Sequence, residues 1–321
     1  MPVLKQILMT AALDTASGVD PDPADNAILS FDATIDFETD ELDRKRDKSH
    51  LGASPKTIVG ERAKITFDFD LMGSAIVGDP SPLDPIFLCG AMTGVNVPAV
   101  VGPPAVTERY RYTPITAGQF QGRIWFYWGD GSADDLLFVV DKAKCDLSLT
   151  IKSKDVWKGK ATFTGVVEAL PTEEGPPTGL VLTGFQKSVV ATTEKAEAKV
   201  NDISVRCYQM DFNLSNSVSV VEDFKMRKTR IDERDPNFVL YVVKEAFSVV
   251  DFWAIAKAQA EDNTVRVTLD DGAARTMELY IPTSQLLYPK LTEYEKQPAY
   301  EIRGIALPSG DGNNEFRLDC A

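Results

Sequence analysis

Paired acids are the first residues in this chain whose types and spacing could do chemistry. Asp134-Asp135 and Glu173-Glu174 could be put forward as the two carboxyl groups of glycoside hydrolysis. Both pairs fall in turn-like or linker-like sequence, where charge is read as solvated. The only histidine is His50, so the commonest general base is nearly absent and a zinc site is hard to build. Cys89, Cys145, Cys207 and Cys320 are far apart and have no metal-type spacing. They read as unpaired thiols of a reducing compartment. Trp125, Tyr127 and Trp128 could stack on a sugar, but aromatic residues on a strand more often pack against the sheet. The sequence therefore gives no expectation of an enzyme, a metal or a cofactor.

The elements around these residues occur twice. Trp125 to Val167 reads as a strand, a D-G turn, a second strand, a link and a third strand ending in Gly. Arg266 to Ala306 repeats that order, with Asp130-Gly131 on Asp271-Gly272 and Gly165 on Gly304. D-G between apolar runs is a strong hairpin signal, because the tight turn needs positive φ. Upstream, Ile35-Asp36-Phe37 answers Met210-Asp211-Phe212, and Ile65 to Leu71 answers Phe238 to Val243. Leu83 to Leu88 answers Val250 to Ile255. A common order of elements at low identity reads as a diverged tandem duplication.

Composition agrees with two units. The chain has 321 residues, 44% apolar and 26% charged, the profile of a globular protein of about two domains. No apolar run approaches the ~20 residues of a membrane helix, and Lys5 interrupts the only signal-like stretch. The net charge is −14, and residues 1–43 hold ten acids against one base. That balance argues against tight nucleic-acid binding, which needs Lys and Arg to displace counterions.

Taken in order, residues 1–12 read as a short helix or arm, and Asp14 to Asp25 as a loop. Ile28 to Phe37 alternates as a strand, and so does Ile65 to Leu71, with Phe67 and Phe69 opposite Asp68 and Asp70. Residues 38–60 and 215–235 read as two charged excursions at equivalent positions. Leu83 to Ala91 and Val249 to Ala260 read as helices. Thr93 to Gln121 is a Pro/Gly-rich excursion confined to the first half. The expected organisation is a first domain over 1–170, a linker over 171–179 and a second domain over 180–321, with the last residues a free or docked tail.

The first half resembles a known family. LDTASGVDPDPADNAIL carries a G-x-D-P-x-P loop before the first strand. RKRDKSHLGASPKTIVGERAKITFDFDLMGSA carries L-G-A-S-P and then G-x-R-x-x-x-x-F-x-x-x-L-x-G-S. PLDPIFLCGAMTG carries a short helix closing in C-G. Together these are similar to the major tail tube proteins of tailed bacteriophages, over about residues 10–168. The second half lacks L-G-A-S-P and G-S and joins the resemblance only through the duplication, which is itself a departure from single-domain members.

The resemblance implies a mainly β protein: two tandem tail-tube-type β-sandwich or partial-barrel domains, each with one short flanking helix. Inner sheets would join edge to edge between subunits, close a ring and stack into a tube. With four strands per domain, ~4.8 Å apart and tilted ~40°, six domains close a barrel ~48 Å across, or ~38 Å clear of side chains. Three domains leave only ~14 Å, too narrow for a B-DNA duplex roughly 20 Å across. Two domains per chain then imply a homotrimeric ring. The implied partners are further copies of the chain and the terminator, tape-measure and baseplate or tip proteins of a virion tail assembled in the host cytoplasm. DNA would pass through the lumen without specific binding. Candidate lumen-facing acids are Asp36, Asp68, Asp70 and Asp211. Candidate ring-to-ring residues are Arg44, Lys45, Arg46 and Lys48 in the first excursion and Arg227, Lys228 and Arg230 in the second. Rival expectations are the inner tube of a contractile tail or injector, and a two-domain carbohydrate-binding module.

Overall fold

The computed structural model describes residues 9–13, 27–43, 56–99, 108–129, 133–167, 169–179, 188–192, 194–222, 226–270, 276–310 and 312–321. The first half contains β1 (Met9–Leu13), β2 (Ala27–Ile28), β3 (Phe31–Asp43), β4 (Lys56–Asp70) and α1 (Asp84–Cys89). It continues with β5 (Met92–Val97), β6 (Arg109–Pro114), β7 (Gly122–Trp128), β8 (Leu136–Lys152), β9 (Lys158–Val167) and β10 (Thr172–Glu173). The second half contains β11 (Ala196–Val200), β12 (Ile203–Val205), β13 (Cys207–Asn213), β14 (Asn216–Glu222), β15 (Arg227–Arg234) and β16 (Asn237–Val243). After α2 (Phe252–Ala258) come β17 (Asn263–Asp270), β18 (Thr276–Leu286), β19 (Lys290–Tyr294), β20 (Gln297–Ala306) and β21 (Arg317–Cys320). The protein is mainly β, and every strand pairing among the described residues is antiparallel.

The alternation in the sequence explains the strands. On β4, Ala63, Ile65, Phe67 and Phe69 are buried, while Lys64, Thr66, Asp68 and Asp70 face the other way. β16 does the same with Phe238, Leu240 and Val242. β-branched and aromatic residues suit such a half-buried pleated surface. The helices are shorter than the sequence predicts. In α2, the Asp251 carboxylate caps the N-terminus, accepting from the backbone N–H groups of Trp253 and Ala254 at 3.0 Å each.

The pairing order recurs in the two halves. In the first, β2–β1–β7–β8–β9–β4–β3 are successive neighbours. In the second, β12–β11–β17–β18–β20–β16–β13 are. Apolar faces from both halves meet in one buried cluster. A register shift sits at the same place in each half. It lies between Gly122 and Ile124 opposite Ala143 and Val140, and between Asn263 and Val265 opposite Ser284 and Ile281.

This register corrects one alignment. Starting from the shared irregularity, Lys144 falls on Gln285 and its partner Thr164 on Ile305. Gly304 therefore answers Phe163, two residues before Gly165. Gly304 lies opposite Phe238, where an added Cβ would stand 2.2 Å from the ring Cζ. Gly159 takes the same role under Phe69, also at 2.2 Å.

Several irregular-looking stretches are ordered strands. Residues 38–43 and 56–60 lengthen β3 and β4 instead of forming a loop. Thr93 to Gln121 contains the β5–β6 hairpin, and the linker contains β10, which pairs Thr172 with Leu137. Residues 9–13 form a strand on β7, not a helix. The two D-G turns, at 130–131 and 271–272, lie outside the described residues.

Gly304→Ala should lower stability by about 1–3 kcal/mol, the usual cost of overpacking a filled core. Chemical denaturation checks this. Unchanged stability would mean that Phe238 swings away freely.

Candidate functional site

The site begins with β8, which carries two neighbours along one edge. Residues from Leu136 to Ala143 pair with β7, and residues from Ser148 to Lys152 pair with β13 of the other half. Its opposite edge follows β9. The register shift between Asp141 and Lys144 lets one strand serve both neighbours, with Lys142 at φ 53°. The result is one sheet through both halves in the order β3-β4-β9-β8-β13-β16-β20-β19. The two halves are thus joined edge to edge within a single chain.

One face of this sheet is apolar and packs into the core. At the joint, Phe212 lies opposite Leu149 and Met210 opposite Ile151, all buried. The other face is polar. One cross-strand row runs Asp70, Lys158, Thr150, Asp211, Val239, Arg303. The next runs Asp68, Lys160, Ser148, Asn213, Asn237, Ile305. Asp36 pairs with Lys64 on the same face. Asp36, Asp68, Asp70 and Asp211 therefore lie on one face of the continuous sheet.

Their neighbours keep this face from being an acidic wall. Asp36, Asp68 and Asp70 each lie opposite a lysine: Lys64, Lys160 and Lys158. Asp211 accepts hydrogen bonds from Thr150 at 3.0 Å and from the Gln209 amide at 2.9 and 3.0 Å. Asp70 accepts one from Ser188 at 2.9 Å. Further along, Lys290 reaches Glu301 at 3.6 Å and Arg303 reaches it at 2.8 Å. The hydrogen bond from Arg303, with Lys290 nearby, holds the Glu301 carboxyl below the ordinary glutamate range. Opposite charges across strands make this a nearly neutral polar face. The lysines were legible in the alternation of Lys158, Lys160, Thr162 and Thr164 along one face of β9.

The second charged excursion is the β14–β15 hairpin, packed against β8 and β9 of the first half. Asn216 seats it, donating from its amide to Gly90 O at 3.0 Å and Cys145 O at 2.9 Å. The backbone N–H of Asn216 donates to Asp146 at 2.8 Å. Burial raises the Asp146 carboxyl above its ordinary range, and this hydrogen bond opposes the rise. Arg227 pairs with Glu222 at 2.8 Å, and Arg230 with Asp232. Both pairs lie within the hairpin, while Lys228 is exposed. Arg44, Lys45, Arg46 and Lys48 lie outside the described residues.

A second link between the halves was not foreseen. β21 inserts between β18 and β6, so the chain's last strand bridges second half to first. Asp319 is 2% exposed there. It accepts from Arg111 at 2.7 and 2.9 Å and pairs with Arg109 at 3.2 Å and Arg317 at 3.5 Å. Arg111 is correspondingly held above its ordinary pKa by Asp319. Nothing local in the sequence links residues 109–111 to 317–319, so no pattern signalled this cluster.

The groups of the rival readings are elsewhere. Trp125 and Tyr127 are buried in a small cluster with Leu137, leaving Trp128 as the exposed ring of the three. Asp135 is buried, whereas Glu173 and Glu174 are exposed on and beside β10. Burial pushes the Cys89, Cys207 and Cys320 thiols up to about 12 and raises Cys145 as well. Thiols held this high are poor nucleophiles. Among the described residues, no cluster of His, Cys, Asp and Glu could hold a metal ion, and no helix is long and apolar enough to cross a membrane. No protein-family model matches the chain, and no curated protein sequence matches it.

Asp319→Ala should cost about 3–5 kcal/mol, because it strands arginines around a buried site. Urea unfolding reads this directly. A loss under 1 kcal/mol would remove the cluster from the account of how the halves are held together.

Proposed function

We propose that this chain is a structural subunit of a phage tail tube, polymerising into stacked rings that conduct DNA into the host. The observation that carries the reading is the edge-to-edge joint between β8 and β13. A chain that already joins two sheets in this way contains the operation needed to close a ring. Eight strands per chain, in three chains, reproduce the ~48 Å barrel that six four-strand units require. The resemblance of the first half to tail tube proteins points to the same assembly.

The polar face then lines the channel. Asp36, Asp68 and Asp70 are each balanced by a lysine across the strand, and Thr, Ser and Asn fill the rows between. Such a lining offers phosphates no net positive field, so DNA slides without holding. This differs from repulsion by bare acids and needs no excess negative charge. The partners on this reading are copies of the chain itself and the terminator, tape-measure and tip proteins of a virion tail. The charged β14–β15 hairpin supplies ring-to-ring contact, through exposed groups such as Lys228. Individually weak exposed pairs must act there in number.

Two experiments test the function. Negative-stain microscopy of the concentrated protein should show hollow tubes. A protein that stays monomeric when concentrated, including with pre-formed tube fragments added, contradicts the reading. In the second, Asp68→Lys with Asp70→Lys should convert an inert tube into one that retains duplex DNA. The retention should weaken steeply with added salt, as counterion release dictates. Equal DNA retention by both tubes would take these acids out of the lumen.

A further inference from the structure

We infer that the free edge of β19 is a docking strand for β3 of a second copy of this chain, in a register set by the chain's own internal joint. The inference deepens the ring reading and rests on it. Among the described residues, β3 pairs only with β4, and β19 only with β20. These two strands end the continuous sheet, one at each side.

The two halves fix the register. Thr164 falls on Ile305 through the shared irregularity described above. Their partners Lys64 and Asn237 then correspond, and so do the next partners, Asp36 and Asn213. Four residues upstream on β9 and β20, Lys160 falls on Glu301, so their partners Ser148 and Lys290 correspond. Inside the chain, Ser148 pairs with Asn213, Leu149 with Phe212 and Thr150 with Asp211. Between chains the same joint pairs Lys290 with Asp36, Leu291 with Ile35, and Thr292 with Thr34.

Each of these pairs is chemically matched. Lys290 meets Asp36 on the polar face, and with Lys64 and Glu301 the row alternates in sign across four strands. Leu291 meets Ile35 on the apolar side. Leu291 is 70% exposed, whereas its internal counterpart Leu149 is 2% exposed. Phe37, beside Asp36, is 50% exposed, whereas Leu214, its counterpart, is 0% exposed.

The helices show the same asymmetry. α1 is met by the other half, because Gly90 at its end accepts from Asn216 and lies near Leu214. At the equivalent place beside α2, Phe247, Val249, Trp253, Leu287 and Tyr288 are exposed. Large apolar groups left bare where their counterparts are covered mark an interface. The occupant that supplies the missing strand in the matching register is another copy of the chain.

Thr34→Cys with Thr292→Cys tests the joint in the concentrated full-length protein. Both positions lie on the polar face, away from the core, so neither change should disturb folding. Oxidation should give covalent dimers and trimers and nothing larger. Either single variant should give none, and neither should Thr34→Cys with Glu293→Cys, because Glu293 points to the opposite face. Rings or tubes that form without the Thr34–Thr292 cross-link would overturn this joint and leave the tube reading standing. Cross-links that ladder beyond three chains would keep the joint and overturn the closed three-chain ring. Neither assembly nor cross-links would overturn both.

Discussion

A sheet edge is a row of unpaired backbone donors and acceptors, and that row must be paired, covered or exposed to water. This chain meets the constraint once within itself. The last third of β8 leaves the β7 side and gives its edge to β13. Three features of the joint accommodate that transfer. The register shift at Asp141–Lys144 provides the bend, and Phe212, Leu149, Met210 and Ile151 seal the apolar side. Thr150 and Asp211 bond across the polar side. Two sheets joined in this way still leave two edges, β3 and β19, and the proposed assembly disposes of both by repetition.

The joint does not hold the halves alone. The β14–β15 hairpin leaves the second half and packs on β8 and β9 of the first. β21 is pinned between β6 and β18, with Asp319 among three arginines. A buried ion cluster of this kind contributes little net stability compared with an apolar replacement, but losing one member is costly. Its value here is orientation: it fixes how the outer strands of one half meet those of the other. The angle between successive units decides whether edge pairing closes a ring or runs on as a filament, so rigid links between halves bear directly on the proposed function.

Much of this was legible in the sequence. Period-two alternation placed β3 and β4, because a strand with one buried face must alternate, and the internal repeat carried that reading to β13 and β16. The order of elements in the sequence matches the pairing order that recurs in the two halves, and the same alternation put Asp36, Asp68, Asp70 and Asp211 on non-core faces. What was not legible depends on contacts distant in sequence. Charged residues between Glu38 and Gly60 read as a loop because local composition cannot show that β3 and β4 extend together as a pair. Gly304 was matched to Gly165 by identity, whereas register shows it making room for Phe238. The alternation along β9 put Lys158 and Lys160 on one face, but which acid each of them faces, and the reach of Asp319 to Arg109 and Arg111, follow from pairings that no single segment encodes.

The central claim is that the internal joint repeats between chains until the sheet closes. Native mass spectrometry of the smallest closed assembly, released from tubes under mild conditions, measures this directly. The account predicts three copies of the 35.2 kDa chain, each contributing two sheet units. A closed ring of six chains, or an open series with no preferred copy number, would contradict it.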